Sequence, residues 1–146
     1  MSDEIEIITD DLSFKLLSYN WRKQDNKING PNCLFSFLQV QNGVPATITI
    51  YNFKEEAESV EEVKDSVEKN TSSQGWEIIS SKVKNIGDKE VFDLIGTSKI
   101  DNQELELHSI VTFNKNTMYV FELLSFANDK YASDDFENIL NSLKFF

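Results

Sequence analysis

VFDLIGTSKIDNQELELHSIVTFNKNTMYVFELLSF, residues 91–126, holds three apolar-rich runs separated by Asp101-Asn102 and Lys115-Asn116. Two-residue Asx-containing connections between such runs are tight-hairpin signals, so the stretch reads as an antiparallel meander. Counting outward from Lys115-Asn116, Phe113 faces Met118, Val111 faces Val120, Ser109 faces Glu122 and Leu107 faces Leu124. Counting from Asp101-Asn102, Leu105 faces Ser98, Leu107 faces Gly96 and Val111 faces Phe92. Because side chains alternate across a strand, this register also sorts the residues onto two faces.

One face collects Phe92, Leu94, Leu105, Leu107, Val111, Phe113, Met118, Val120, Leu124 and Phe126, and is expected to be the core face. Glu122 lies on it beside Ser109, and the pair reads as a polar spot in the core. A buried carboxylate without partners costs several kcal/mol, so Glu122 must be hydrogen-bonded, near the rim or protonated. The opposite face carries Val91, Ile95, Ile110, Tyr119, Phe121 and Leu123 among Asp93, Glu104, Glu106 and His108. Lys99 opposite Glu104 makes a cross-strand charge pair on it. So many apolar side chains need cover. If both helices serve the core face, then Val91, Ile95, His108, Ile110, Tyr119, Phe121 and Leu123 form a partner-binding face; if the helices split, they are ordinary core.

The rest of the chain supplies further strands and two helices. Runs at 14–18, 34–40 and 46–53 are strand-like, with a hairpin turn expected at Asn42-Gly43, and 76–86 adds a strand before Gly87-Asp88. Ser59-Val60-Glu61-Glu62 has capping-box form, and Val60, Val63 and Val67 make a thin helical stripe that ends before Gly75. A second helix is expected from Ser133, with Asp134 and Asp135 near its N-terminal dipole and Phe136, Ile139, Leu140 and Leu143 as a stronger stripe. The expected fold class is α+β: an antiparallel meander packed with two main helices, as one domain spanning 1–146.

Composition excludes more than it suggests. Fourteen basic against twenty-five acidic residues give a net charge of −11, which repels phosphate backbones and anionic headgroups, so nucleic acid is not an expected partner. A single cysteine, Cys33, and a single histidine, His108, offer no internal disulfide and no closed ligand set, so neither metal nor other cofactor is expected. No Gly-rich phosphate loop, His-Glu helix pair or Gly-x-Ser-x-Gly elbow is present, and a non-enzymatic role is expected. The N-terminal MSDEIEIITDD lacks a signal peptide's basic and apolar regions, and no apolar run is long enough for a membrane helix. These features suggest a cytoplasmic protein without membrane insertion, although the mature part of an exported protein would read the same way.

FKLLSYNW, the SVEEV helix start, GWEIISSKVKNIGDKEVFDLIG and the closing YVFELLSFANDKYASDDFENILNSLKFF follow one another in an order that resembles the family of the photosystem subunit PsbP and the bacterial DcrB-like proteins. The resemblance implies an α/β sandwich without a catalytic site of its own. It also implies a role as an accessory subunit, a binder of a partner protein, or a chaperone of hydrophobic effector segments associated with type VI secretion. It transfers no residue-level site. The expectation is therefore a protein-binding module, accessory or chaperone-like, that uses a sheet face. The alternative is a small-ligand or lipid-binding domain with a pocket between sheet and helix, in which Glu122 orients a polar head.

Overall fold

A computed structural model describes residues 4–17, 20–25, 29–39, 45–54 and 59–146; the expected turn at Asn42-Gly43 lies outside them. The chain runs β1 (Glu4–Ile8), β2 (Leu12–Leu17), β3 (Trp21–Lys23), β4 (Cys33–Gln39), β5 (Thr47–Lys54), α1 (Val60–Ser73), β6 (Glu77–Ile86), β7 (Lys89–Ile100), β8 (Gln103–Asn114), β9 (Thr117–Phe126), α2 (Lys130–Ser142) and β10 (Lys144–Phe145). Seven strands form one antiparallel sheet in the order β3-β4-β5-β9-β8-β7-β6, and β1, β2 and β10 form a small second sheet.

The meander takes the register counted from its turns. Asp101 and Asn102 have φ of 52° and 68°, and Lys115 and Asn116 have 52° and 64°. Positive φ at both central residues gives a turn whose twist matches the flanking strands, so the pairing starts without a slip. Phe113 pairs with Met118, Ser109 with Glu122, Leu105 with Ser98 and Val111 with Phe92. At the far edge, Trp76 lies over Gly96, where an added Cβ would stand 3.2 Å from the Trp76 Cβ.

The two helices split between the faces, the case in which the second face is ordinary core rather than a partner-binding surface. α1 rests on β6, β7 and β8 through Val60, Val63 and Val67, beside Phe92, Leu94, Val111 and Val120. α2 and the small sheet cover the opposite face. There Leu12, Phe14 and Leu16 of β2 and Phe136, Ile139 and Leu140 of α2 close over Ile48, Ile50, Ile110 and Phe121. The proposed partner face is thus the deeper core: Val91, His108, Ile110, Tyr119, Phe121 and Leu123 are buried and Ile95 is half-buried. The cover comes from α2 together with β2, which supplies Leu12, Phe14 and Leu16. β1 and β10 flank β2, and together they form an additional layer of cover that a count of two helices omits.

The helix starts also differ in detail. Ser59 occupies the N-cap of α1 but its side chain makes no capping hydrogen bond. α2 begins at Lys130, ahead of the expected Ser133, because Asp129 is the cap: its carboxylate accepts from the Ala132 amide at 3.0 Å. Asp135 is turned inward instead, accepting from Trp21 Nε1 at 2.9 Å and from the Asn20 side-chain amide, and so ties α2 to β3. Lys99 and Glu104 stand opposite one another in register.

Candidate functional site

Between α1 and the sheet the structure has a cleft of about 490 Å³. Its floor comes from three adjacent strands: Tyr51 and Phe53 of β5, Met118, Val120 and Glu122 of β9, and Leu107, Ser109 and Val111 of β8. Its wall is the polar continuation of the α1 stripe, with Val67 followed by Asn70, Thr71 and Gln74. The cleft exists because α1 packs on the β6–β8 side of the sheet, where its valines meet Phe92 and Leu94, and leaves the neighbouring strands less covered. Thr71 is back-bonded to the Val67 carbonyl at 2.8 Å, which holds its hydroxyl on the helix.

Glu122 is half-buried at one end of this floor, with Ser109 opposite on β8 and Thr49 opposite on β5. Among the described residues its carboxylate makes no hydrogen bond shorter than 3.5 Å and no ion pair. Burial pushes its pKa above the ordinary 4.5. Tyr51 is also raised, first by burial and then by the charge of Glu122, which places the phenol within the field of that carboxylate. Tyr51 and Phe53 stack with ring centroids 6.1 Å apart. The expected polar spot of Glu122 and Ser109 is therefore a feature of a cleft floor.

The opposite face carries the second ionic cluster. Asp93 of β7 accepts from His108 Nε2 at 2.9 Å and from Lys84 Nζ at 2.6 Å. Burial alone would raise the Asp93 pKa, but the hydrogen bonds and charges of His108 and Lys84 outweigh it and hold the carboxyl at about 2. The Phe136 ring of α2 packs edge-on against His108 at 5.1 Å. A carboxylate so paired and roofed is a fixed element of the core, and it explains why His108 lies among apolar side chains. A further cleft of about 540 Å³ lies at the end of this face, between the Gly87 turn and the C-terminal end of α2.

Among the described residues no three His, Cys, Asp or Glu side chains come together in a way that could hold a metal ion. No helix among them is long and apolar enough to cross a membrane. Cys33 is buried, and burial raises its thiol pKa. Tyr51, Phe53 and the polar residues of α1 were not singled out from sequence. The available signals were the i, i+2 aromatic pair on β5 and a helical stripe that turns from valine to Asn70, Thr71 and Gln74 on the same face.

These features define a class: an α+β sandwich, one large antiparallel sheet with a helix on each face, whose open cleft lies under the first helix. The fold is PsbP-like. The chain is similar to the solution structure of cyanobacterial PsbP (CyanoP) from Synechocystis sp. PCC 6803, with a TM-score of 0.70 and 15% identity over 100% of this chain and 94% of that one. It is similar to LpqN, described as involved in cell envelope biogenesis of Mycobacterium tuberculosis, with a TM-score of 0.58 and 13% identity over 97% and 90% of the two chains. A Bacteroides thetaiotaomicron structure matches with a TM-score of 0.67 and 14% identity over 99% of this chain, which spans 48% of that protein. No protein-family model matches the chain, and no curated protein matches it by sequence.

Proposed function

We propose that the chain is a non-enzymatic binding domain whose ligand seats in the cleft between α1 and the sheet. The observation that carries this reading is the Glu122 carboxylate, half-buried at the cleft floor beside Ser109 with no ion-pair partner among the described residues. A carboxylate partly withdrawn from water without a counter-ion is costly, and binding sites are where such a cost is retained, because a ligand offsets it. The volume of about 490 Å³ falls in the range of small-molecule sites. A catalytic reading would need a second acid–base group to work with Glu122, and the described lining adds hydroxyls of Ser66, Thr71, Ser109 and Tyr51 and side-chain amides but no second carboxylate, histidine or lysine.

A protein-binding reading has one observation in its favour. Leu124 is 37% exposed on the same face, near half-buried Phe126 and across from Leu107, so an apolar margin borders the cleft. The test is native mass spectrometry of the protein extracted gently from its source, comparing wild type with Met118→Trp, which fills the cleft from a half-buried position. A non-covalent small-molecule adduct present in the wild type and lost in a folded Met118→Trp is the expected result. An adduct that survives the substitution, or a bound polypeptide indifferent to it, overturns the reading.

A further inference from the structure

The cleft lining is chemically one-sided. Among the described residues it holds one acidic side chain, Glu122, and no lysine, arginine or histidine, so none of them serves the carboxylate as a counter-ion there. Tyr51 lies within the field of the acid, and its ring, stacked on Phe53 further along the floor, has a π face that attracts cations. Leu107, Val111 and Val120 line the remaining floor and suit an apolar body.

We propose that the ligand of this cleft is an organic ammonium ion, a protonated or quaternary nitrogen on an apolar body, with its nitrogen facing the Glu122 carboxylate and the Tyr51 ring and its apolar body running toward Phe53. This rests on the reading of the cleft as a ligand site. An anionic ligand would meet Glu122 with like charge and find no cation to offset the desolvation of both groups. A neutral alcohol could donate one hydrogen bond, but it would leave the carboxylate charge without a counter-ion in a partly desolvated site. The chain's net charge of −11 acts in the same direction, concentrating cations near the surface and repelling anions. Burial also raises the Glu122 pKa, as expected of a carboxylate withdrawn from water, and a cation beside it would favour the charged form.

The test is an NMR titration that follows the Met118 methyl, which lines the cleft, with hexylammonium, hexyltrimethylammonium, 1-hexanol and hexanoate, on wild type and on Glu122→Gln. Expected is binding of the ammonium ions at least about ten-fold tighter than hexanol, with hexanoate weakest. In Glu122→Gln, hexanol binding should persist and the ammonium preference should fall to the small part that the Tyr51 ring supplies. Tyr51→Leu is the second variant, expected to weaken hexyltrimethylammonium while leaving hexanol unchanged. An ammonium preference undiminished by Glu122→Gln would mean that the carboxylate does not hold the cation and overturns the proposal. Hexanol or hexanoate binding as tightly as the ammonium ions to wild type overturns the cation assignment and leaves the cleft standing. If no hexyl compound moves the Met118 methyl, the cleft reading falls with it.

Discussion

Phe121 and Leu124 lie three residues apart on β9 and face opposite sides of the sheet, so truncating each in turn measures how deeply each side is covered. Phe121 is 0% exposed, with Ile50 and Ile110 as its cross-strand neighbours under α2 and the small sheet. Both neighbours are held in a ladder, so the site cannot collapse around a missing ring. Phe121→Ala should cost about 3–5 kcal/mol. Leu124 is 37% exposed between Thr47 and Leu107. Full burial of a leucine contributes about 1.5–3 kcal/mol, and Leu124→Ala forfeits only part of it, about 1 kcal/mol. For a chain of this length each kcal/mol moves the melting temperature by about 2–4 °C. Phe121→Ala should therefore lower it by roughly 6–20 °C, and Leu124→Ala by about 2–4 °C. Thermal melts by circular dichroism, checked by urea titration with unchanged slope, read both. Equal losses, or a larger loss at Leu124, would refute the conclusion that the Phe121 face is the deeper core.

Asp129→Ala removes the carboxylate that accepts from the Ala132 amide and should cost about 1 kcal/mol, whereas Ser59→Ala, at a cap with no side-chain bond, should cost under about 0.5 kcal/mol; urea unfolding distinguishes them. The Asp93 pKa is lowered from 3.8 to about 2, so its contribution to stability is fully present above about 3.8 and is lost as pH falls through about 2. Asp93→Asn should destabilise by about 1–3 kcal/mol at neutral pH, with the difference from wild type vanishing near the lower limit of that window. Glu122 has the opposite sign: its folded pKa is raised, so the folded state is relatively favoured when pH drops to its ordinary 4.5 and is penalised once pH rises through the folded value. Glu122→Gln should accordingly raise the melting temperature at neutral pH and leave it unchanged below pH 4.5; a lower melting temperature at neutral pH would mean that the carboxylate is paired.

The sequence by itself determined the meander, its pairing and the location of Glu122. Those features follow from local chemistry: Asp101-Asn102 and Lys115-Asn116 accept positive φ, and a period of two then propagates the register along each strand. The polar character of Glu122 against its neighbours was equally legible, since one carboxylate on an apolar face stands out without coordinates. Which face becomes the core was not legible, because both carry bulky apolar residues and the choice depends on what packs over them. Tertiary structure decided it by placing α2 with Leu12, Phe14 and Leu16 over Phe121, and α1 to one side of Glu122. β1 and β10 were missed for the same reason: five and two residues long, they are strands because β2 lies between them. The cleft belongs wholly to this second level. Its floor and wall meet because a helix with only three valines to bury settles where Phe92 and Leu94 receive them, leaving Tyr51, Phe53 and Glu122 beside it.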